Sequence, residues 1–138
     1  ITQYFFDSTA FLKFLERARR AGINAPIVPG ILPVTNFAQV VRFSAMCGTA
    51  VPDWLHDLFE GLDDAQDTRK LMAAMVATEQ CRALQAEGIT DFHFYTLNRA
   101  DLILGICRRM GLKPAPLPDK DGFADAPAPM QRDPEMPD

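Results

Sequence analysis

Residues 1–22 read ITQYFFDSTAFLKFLERARRAG, and this stretch decides the fold class. Its first seven residues are mostly β-branched or aromatic, which predicts a strand. Asp7 and Ser8 can cap the helix that follows, and Gly22 can end it. That helix has one apolar face, formed by Phe11, Leu12, Phe14, Leu15 and Ala18. A strand that leads directly into an amphipathic helix is the building unit of α/β folds.

The rest of the chain continues this alternation. The further predicted elements are a strand at 25–33, a helix between Asn36 and Gly48, helices at 52–61 and 65–87, a strand at 91–96 and a helix at 100–110. Because strands alternate with helices, we expect a parallel sheet with right-handed crossovers. Doubly wound and barrel folds both satisfy this order. The sequence has no GxGxxG after its first strand and no P-loop, which disfavours the nucleotide-binding doubly wound folds.

The two ends of the chain differ in their predicted structure. Three parallel strands cannot close a barrel, and the chain begins directly in an apolar strand, so we expect further residues upstream. Residues 113–138 hold seven of the eleven prolines and almost no periodic apolar residues. Such a segment cannot bury enough surface to offset its ordering entropy. We therefore divide the chain into a folded part, 1–112, and a disordered proline-rich tail, 113–138.

Composition excludes several classes of protein. A net charge of −4 and a pI near 5.1 disfavour a nucleic-acid-binding surface, which needs a clustered basic face. No apolar run is long enough to span a bilayer, and we expect no signal peptide. Cys47, Cys81 and Cys107 lie in apolar helical patterns and fit buried thiols of a cytoplasmic protein better than disulfides or metal ligands. His56 and His93 have no zinc-ligand spacing, so we predict no metal site.

In an α/β barrel, chemistry gathers where the strands end, and the residues there are mainly amides. The candidates are Gln3, Asp7, Asn36, Gln39, His93, Tyr95, Thr96, Asn98 and Arg99. Amides can read the donors and acceptors of a heterocycle, and arginine can pair with a carboxylate. This set is more typical of ligand binding than of acid–base catalysis.

Several of these residues also have a purely structural interpretation. Gln3 inside an apolar strand should be buried, where an amide needs a partner, either a ligand or an internal network. Gln39 lies three residues after Asn36 and could complete a capping box. Asn98 could cap the last helix, which makes Arg99 electrostatically unfavourable unless an anion lies nearby.

Two rings also have structural alternatives. His93 alternates with aromatic residues in its strand and fits a hydrogen-bonded core histidine better than a ligand. Phe43 is favoured as a core residue unless its helix lines a pocket, where the ring could stack on a ligand.

Four motifs carry a family resemblance. ITQYFFD at 1–7, PGILP at 29–33, GLDD at 61–64 and HFYTLNR at 93–99 occur in the order found in methylenetetrahydrofolate reductases. The chain resembles the short bacterial form of this family from residue 1 to about residue 114. The resemblance implies a (βα)8 TIM barrel, of which this chain supplies the C-terminal part, the last three strand–helix units.

The resemblance also implies a reaction. It is the reduction of 5,10-methylenetetrahydrofolate to 5-methyltetrahydrofolate by NADH or NADPH through FAD, in a ping-pong cycle with one shared site. On the matching positions, Gln3 would contact both the folate and the nicotinamide nucleotide. Gln39 and Arg99 would contact the folate, and Phe43 would stack on either ligand. We also expect a homo-oligomeric full-length enzyme.

Other roles are assigned less directly or not at all. Tyr95 and Leu97 belong to the same motif as Arg99 and could line the pocket. The acidic proton donor and most FAD contacts of the family lie upstream of the matched segment, so no catalytic acid and no dedicated FAD ligand is assigned here. We therefore expect the 138-residue chain alone to be inactive.

Two other functions compete with this interpretation. The first is a non-catalytic folate-binding or half-barrel interaction module that pairs with another chain. The second is a different barrel enzyme with a phosphate site in its last loops. The second would need a glycine-rich turn after the last strands, which HFYTLNR at 93–99 does not supply.

Overall fold

The computed structural model describes residues 1–113, and the predicted tail lies outside the described residues except for Lys113. The elements are α1 (Ser8–Arg20), β1 (Gly30–Ile31), α2 (Phe37–Cys47), α3 (Asp53–Phe59), α4 (Gln66–Ala86), β2 (His93–Phe94) and α5 (Ala100–Arg109). All five predicted helices are present, within two residues of their expected ends. The class is α/β with a small parallel sheet.

The sheet is shorter than the sequence predicts. β1 pairs in parallel with β2, with Gly30 opposite His93, and Tyr4 forms an isolated parallel bridge to Gly30. The predicted first strand is therefore reduced to one bridged residue. Its ladder is interrupted because the Gly30 N–H donates to the Thr2 side-chain hydroxyl (3.0 Å) instead of to a backbone carbonyl.

The helix ends follow the predicted capping rules in α1 and α2. The Asp7 carboxylate accepts from the N–H groups of Thr9 and Ala10, and the Asn36 side chain accepts from the N–H of Gln39. Gly48 ends α2 in the left-handed region, at φ 69°. These caps fix where each helix starts relative to the strand before it.

Two hydrophobic cores lie on opposite faces of the sheet, because successive side chains of a strand alternate between faces. The α2/α3 core contains Tyr4, Phe6, Leu32, Val34, Val40, Leu55 and Phe59. The α1/α4/α5 core contains Phe11, Ile31, Ala77, Cys81, Leu84 and Ile106. α4 packs against both α1 and α5 and so organises the second core.

The burial of several side chains depends on which face of each helix points inward, and the burial predicted for one cysteine is wrong. Leu71 and Met75 of α4 are exposed, because that helix turns the face with Ala73, Ala77 and Leu84 inward. Of the three cysteines predicted to be buried, Cys47 is exposed at the end of α2. Trp54 is exposed on α3, whereas Phe59 of the same helix is buried.

Residues 1–113 contain neither a membrane-spanning helix nor a cluster of potential metal ligands. None of the helices there combines the length and hydropathy that a bilayer crossing requires. Those same residues contain no group of three histidine, cysteine or acidic side chains that could hold a metal ion.

Candidate functional site

Gln3 lies beside the bridged residue Tyr4, and it is exposed. The expectation that its amide is buried is therefore wrong, since only every second residue of this segment faces the α2/α3 core. Its side-chain oxygen accepts a hydrogen bond from the Tyr4 N–H (3.1 Å). Gln3 lines an open depression of about 570 Å³ formed by residues 1–7, α1 and residues 48–50. The side-chain NH₂ of Gln3 makes no hydrogen bond within residues 1–113, so it can donate to a ligand.

Thr2 and Tyr95 hold the backbone on either side of Gln3. The Tyr95 hydroxyl donates to the Thr2 carbonyl (3.0 Å), and the Thr2 hydroxyl donates to the Gln3 carbonyl (2.9 Å). The Tyr95 ring stands edge-on to the Tyr4 ring, with centroids 6.0 Å apart. Tyr95, predicted from its motif to line the pocket, is thus placed next to the Gln3 segment.

The glycine of the 29–33 motif makes this arrangement possible. A Cβ on Gly30 would lie 2.6 Å from the Thr2 carbonyl oxygen and 2.7 Å from the Tyr95 ring. Both distances are far below van der Waals contact, and one neighbour is backbone that cannot rotate away. Only glycine allows Thr2, Gln3 and Tyr95 to meet at this point.

Gln39 and Phe43 lie four residues apart on α2 and therefore share a face of that helix. The Gln39 N–H completes one half of the predicted capping box, but the return bond from its side chain is not formed within residues 1–113. The Phe43 side chain is 36% exposed, so its interpretation as a core residue is wrong. The α2 face that carries this amide and this ring is accessible to a flat ligand.

α2 is fixed to the Gln3 segment by a buried polar contact that the sequence analysis missed. The hydroxyls of Tyr4 and Ser44 share a hydrogen bond of 3.1 Å, and both residues are buried. The Thr49 hydroxyl, just after α2, donates to the Tyr4 carbonyl (3.4 Å). The available signal was Ser44 itself, a polar residue one turn after the buried Val40 on the core face of the helix.

The loop after β2 has an unusual backbone. Leu97 and Asn98 both adopt positive φ, at 44° and 61°, and the Arg99 N–H closes the turn on the Thr96 carbonyl (2.8 Å). The prediction that Asn98 caps the last helix is wrong, because Arg99 occupies the cap position of α5 and supplies no side-chain cap. Consecutive left-handed residues other than glycine cost energy and are common at functional sites.

Leu97 and Arg99 project from this loop and are exposed. Within the part of the chain described, the Arg99 guanidinium has no ion pair and no side-chain hydrogen bond. A cation at a helix N-terminus is unfavourable, and no contact of the Arg99 guanidinium within residues 1–113 offsets this cost. This arrangement leaves the guanidinium available to an anionic group.

His93 has a different environment from the predicted one. Its ring is partly buried against the Tyr95 ring, with centroids 4.9 Å apart, and it makes no side-chain hydrogen bond within residues 1–113. His93 is predicted from the sequence to be a hydrogen-bonded core histidine. The predicted hydrogen bond is not formed within residues 1–113, so that part of the prediction is wrong.

The structure thus links Gln3, Tyr95 and α2 around Tyr4, but it does not gather all the predicted contacts in one depression. Gln39, Phe43 and Arg99 do not line the depression that contains Gln3. Asp7 serves as a helix cap. Together these residues provide the exposed amide of Gln3, the half-buried Gln39, the exposed Phe43 ring and the exposed Arg99 guanidinium.

Comparison with known proteins places the chain in a family. The family model described as Methylenetetrahydrofolate reductase matches residues 1–111. The chain belongs to the methylenetetrahydrofolate reductase family. All four motifs of the sequence analysis lie within the matched residues, so the resemblance is confirmed.

Curated relatives agree with this assignment. The 5,10-methylenetetrahydrofolate reductase of Escherichia coli (strain K12) is 47% identical over 114 residues, which are 83% of this chain and 38% of that protein. The protein of the same name from Pectobacterium carotovorum subsp. carotovorum gives the same figures. Methylenetetrahydrofolate reductase (NADH) 1 of Arabidopsis thaliana is 40% identical over 112 residues, which are 81% of this chain and 19% of that protein. The chain therefore spans 38% of the length of the bacterial relatives and less of the plant one.

Proposed function

We propose that this chain is part of an FAD-dependent methylenetetrahydrofolate reductase and supplies contacts to the folate and to NADH or NADPH. The observation that carries the proposal is the family match over residues 1–111, which contains every proposed binding residue. The proposed reaction reduces 5,10-methylenetetrahydrofolate to 5-methyltetrahydrofolate in a ping-pong cycle. We further propose that residues 1–112 form the last three strand–helix units of a (βα)8 barrel.

The parallel sheet supports the proposed barrel position. Tyr4, β1 and β2 are neighbours in one parallel arrangement, and helices follow all three. Their carboxyl ends therefore lie at the same edge, where barrel enzymes bind their ligands. The loop with Leu97 and Asn98 in left-handed conformation lies at this edge.

The polar groups of these residues fit the chemistry of the ligands. The Gln3 and Gln39 amides can each donate to and accept from a pterin or a nicotinamide, and the exposed Phe43 ring can stack on either one. Arg99 can pair with a carboxylate of the folate, which would also explain a cation at a helix N-terminus. Tyr95 and Leu97 are proposed to line the same pocket.

Bound FAD would supply the hydride chemistry, and this chain's residues would bind and orient the two substrates. A planar heterocycle suits the exposed Phe43 ring and the Gln3 amide, so the residues present are compatible with a flavin-adjacent site. None of the described residues is proposed as a dedicated FAD ligand or as the proton donor. Since the chain spans 38% of its bacterial relatives, we propose that these groups come from the remainder of a longer protein.

Further parts of the proposal concern assembly and location. We propose that the complete enzyme is a homo-oligomer in the cytoplasm, where the free thiols Cys47, Cys81 and Cys107 stay reduced. Light scattering on the purified complete protein tests the assembly, and a monomer at micromolar concentration would contradict it.

The test of the function uses the complete gene product that contains this chain. Purified protein should show a flavin absorbance spectrum that bleaches on anaerobic addition of NADH or NADPH and recovers on addition of 5,10-methylenetetrahydrofolate. A colourless protein that takes up no FAD would contradict the reductase and leave the folate-binding module as the better candidate. The isolated 138-residue chain is the control and should show no folate-dependent NADH oxidation.

A further inference from the structure

Tyr4 and Ser44 form a polar contact inside the α2/α3 core that apolar packing alone would not require. Their hydroxyl oxygens are 3.1 Å apart, and the residues are 6% and 1% exposed. The two residues are forty positions apart in sequence and belong to the Gln3 segment and to α2. A buried hydroxyl without a partner costs stability, so the two groups satisfy each other at this point.

This bond constrains α2 in a way that apolar contacts do not. Apolar side chains tolerate small rotations and slides of a helix, whereas a hydrogen bond weakens quickly with distance and angle. The Thr49 hydroxyl donates to the Tyr4 carbonyl (3.4 Å) and adds a second tie just beyond the C-terminal end of α2. Both ties converge on Tyr4, the residue that follows Gln3.

The helical repeat connects this constraint to the proposed ligand contacts. Val40 and Ser44 form the buried pair of α2, and Gln39 and Phe43 lie one residue earlier, rotated by about 100° on the same helix. Any rotation of α2 that breaks the bond to Tyr4 therefore moves the Gln39 amide and the Phe43 ring by the same angle.

We propose that the buried Tyr4–Ser44 hydroxyl pair is a positioning element that fixes the orientation of Gln39 and Phe43 of α2 relative to the Gln3 segment. This inference rests on the proposed function, because it assigns the orientation of residues that are proposed to bind the folate. Tyr4 and Ser44 do not themselves touch the ligand. They act through the placement of α2.

The experiment uses the complete gene product with three variants, Ser44→Ala, Tyr4→Phe and the double variant. Ser8→Ala is the matched control, since Ser8 is a helical serine whose side chain makes no hydrogen bond within residues 1–113. The first readout is the dissociation constant of 5-methyltetrahydrofolate, measured by calorimetry. Each single variant should weaken binding by about three- to tenfold, the range expected when one buried hydrogen bond is lost. The double variant should be no worse than the worse single variant.

A second readout separates positioning from general damage. Because α2 is proposed to carry two folate contacts but only one nicotinamide contact, the folate KM should rise more than the KM of NADH or NADPH. In a Gln39→Ala background, Ser44→Ala should weaken folate binding less than it does in the parent protein. Tyr4→Phe keeps the ring in the core, so it provides the test if Ser44→Ala does not fold.

The possible outcomes distinguish a failure of the positioning role from a failure of the proposed function. If the parent protein reduces its folate substrate but the variants bind 5-methyltetrahydrofolate like Ser8→Ala, the positioning role is overturned and the function stands. The same holds if the effects of Ser44→Ala and Gln39→Ala are additive. If the parent protein binds neither flavin nor folate, the proposed function itself fails.

Discussion

The two cores on either side of the sheet are built from different chemistry. The α1/α4/α5 core is apolar apart from the thiol of Cys81, and its polar contacts, from Gln80 to the Phe5 carbonyl and from Arg82 to the Arg109 carbonyl, lie outside the cluster of buried side chains. The α2/α3 core contains the tyrosine–serine bond, a glycine pressed against backbone and the residues next to Gln3. One face of the sheet therefore provides stability, whereas the other combines stability with the placement of the proposed ligand contacts.

The largest expected effect is a loss of stability, without a loss of folate affinity, on truncation of a side chain in the α1/α4/α5 core. Leu84 is fully buried in the α1/α4/α5 core, so Leu84→Ala should lower the free energy of unfolding by about 2–5 kcal/mol. Denaturant unfolding of the complete protein measures this loss. The folate affinity of the protein that remains folded should not change, because the substitution removes only apolar atoms and leaves the hydrogen bond from Gln80 of α4 to the Phe5 carbonyl (2.7 Å) in place. Gln85→Ala, at an exposed neighbour, should stay within about 0.5 kcal/mol of the parent.

Gly30→Ala should lower both stability and affinity. Its Cβ would overlap the Thr2 carbonyl and the Tyr95 ring, and overpacking of this kind costs about 1–3 kcal/mol. Since those neighbours flank Gln3, folate affinity should fall as well, which is measured by the same calorimetric titration. Gly105→Ala is the matched control, because a Cβ there meets none of the described residues within 4 Å. It should stabilise α5 by about 0.4–1 kcal/mol. Equal effects of the two substitutions would contradict the role of Gly30.

The caps of α1 and α2 should contribute equally to stability but differently to folate binding. Asp7 caps α1 and Asn36 caps α2, and replacement of either by alanine should lower the free energy of unfolding by about 1 kcal/mol. Asn36→Ala should weaken folate binding more than Asp7→Ala does, because α2 carries Gln39 and Phe43, whereas Asp7 only borders the depression that contains Gln3. Thermal unfolding and calorimetric titration of both variants test this. If Asp7→Ala weakens folate binding equally, the division between the two faces is wrong.

The smallest expected effect is on the pH dependence of the free energy of unfolding. It is absent at neutral pH and appears only in alkaline solution. Burial, with a smaller contribution from Cys107, raises the pKa of the Cys81 thiol from 9.0 to about 12. Between these values the unfolded chain ionises this thiol while the folded protein keeps it protonated. The stabilising contribution is complete below pH 9 and is lost as the pH rises towards 12.

The pH dependence of the free energy of unfolding measures this effect. Cys81→Ala should show a shallower decline above pH 9 than the parent protein. Cys47→Ala, which removes an exposed thiol and leaves Cys81 in place, should keep the parent's slope. Identical slopes in all three proteins would show that Cys81 ionises alike in the folded and unfolded states.

Local signals in the sequence were sufficient for the helices and for the family. Caps at Asp7 and Asn36, the left-handed glycine at 48 and the apolar spacing of α1 depend only on neighbouring residues, so the sequence alone predicts them. The four motifs identified the family for the same reason. The α/β class followed from the order of strands and helices.

Burial was less predictable, because it depends on which face of each element meets the rest of the fold. Gln3 is exposed although its strand is apolar, and Leu71 and Met75 are exposed although their spacing suits a core. Asn98 resembles a helix cap in sequence, yet the turn that follows β2 places it in a left-handed conformation one residue too early.

The sequence by itself therefore determined the helices, the parallel α/β class and the membership in the methylenetetrahydrofolate reductase family. Only the tertiary structure decided that Tyr4 meets Ser44, that Gly30 must lack a side chain and that Phe43 faces outward. The physical reason is distance along the chain. Caps and helical faces arise from residues within one or two turns, whereas the contacts of Tyr4 with Ser44 and of Gly30 with Thr2 and Tyr95 join residues 28 to 65 positions apart and exist only once the sheet and α2 have packed.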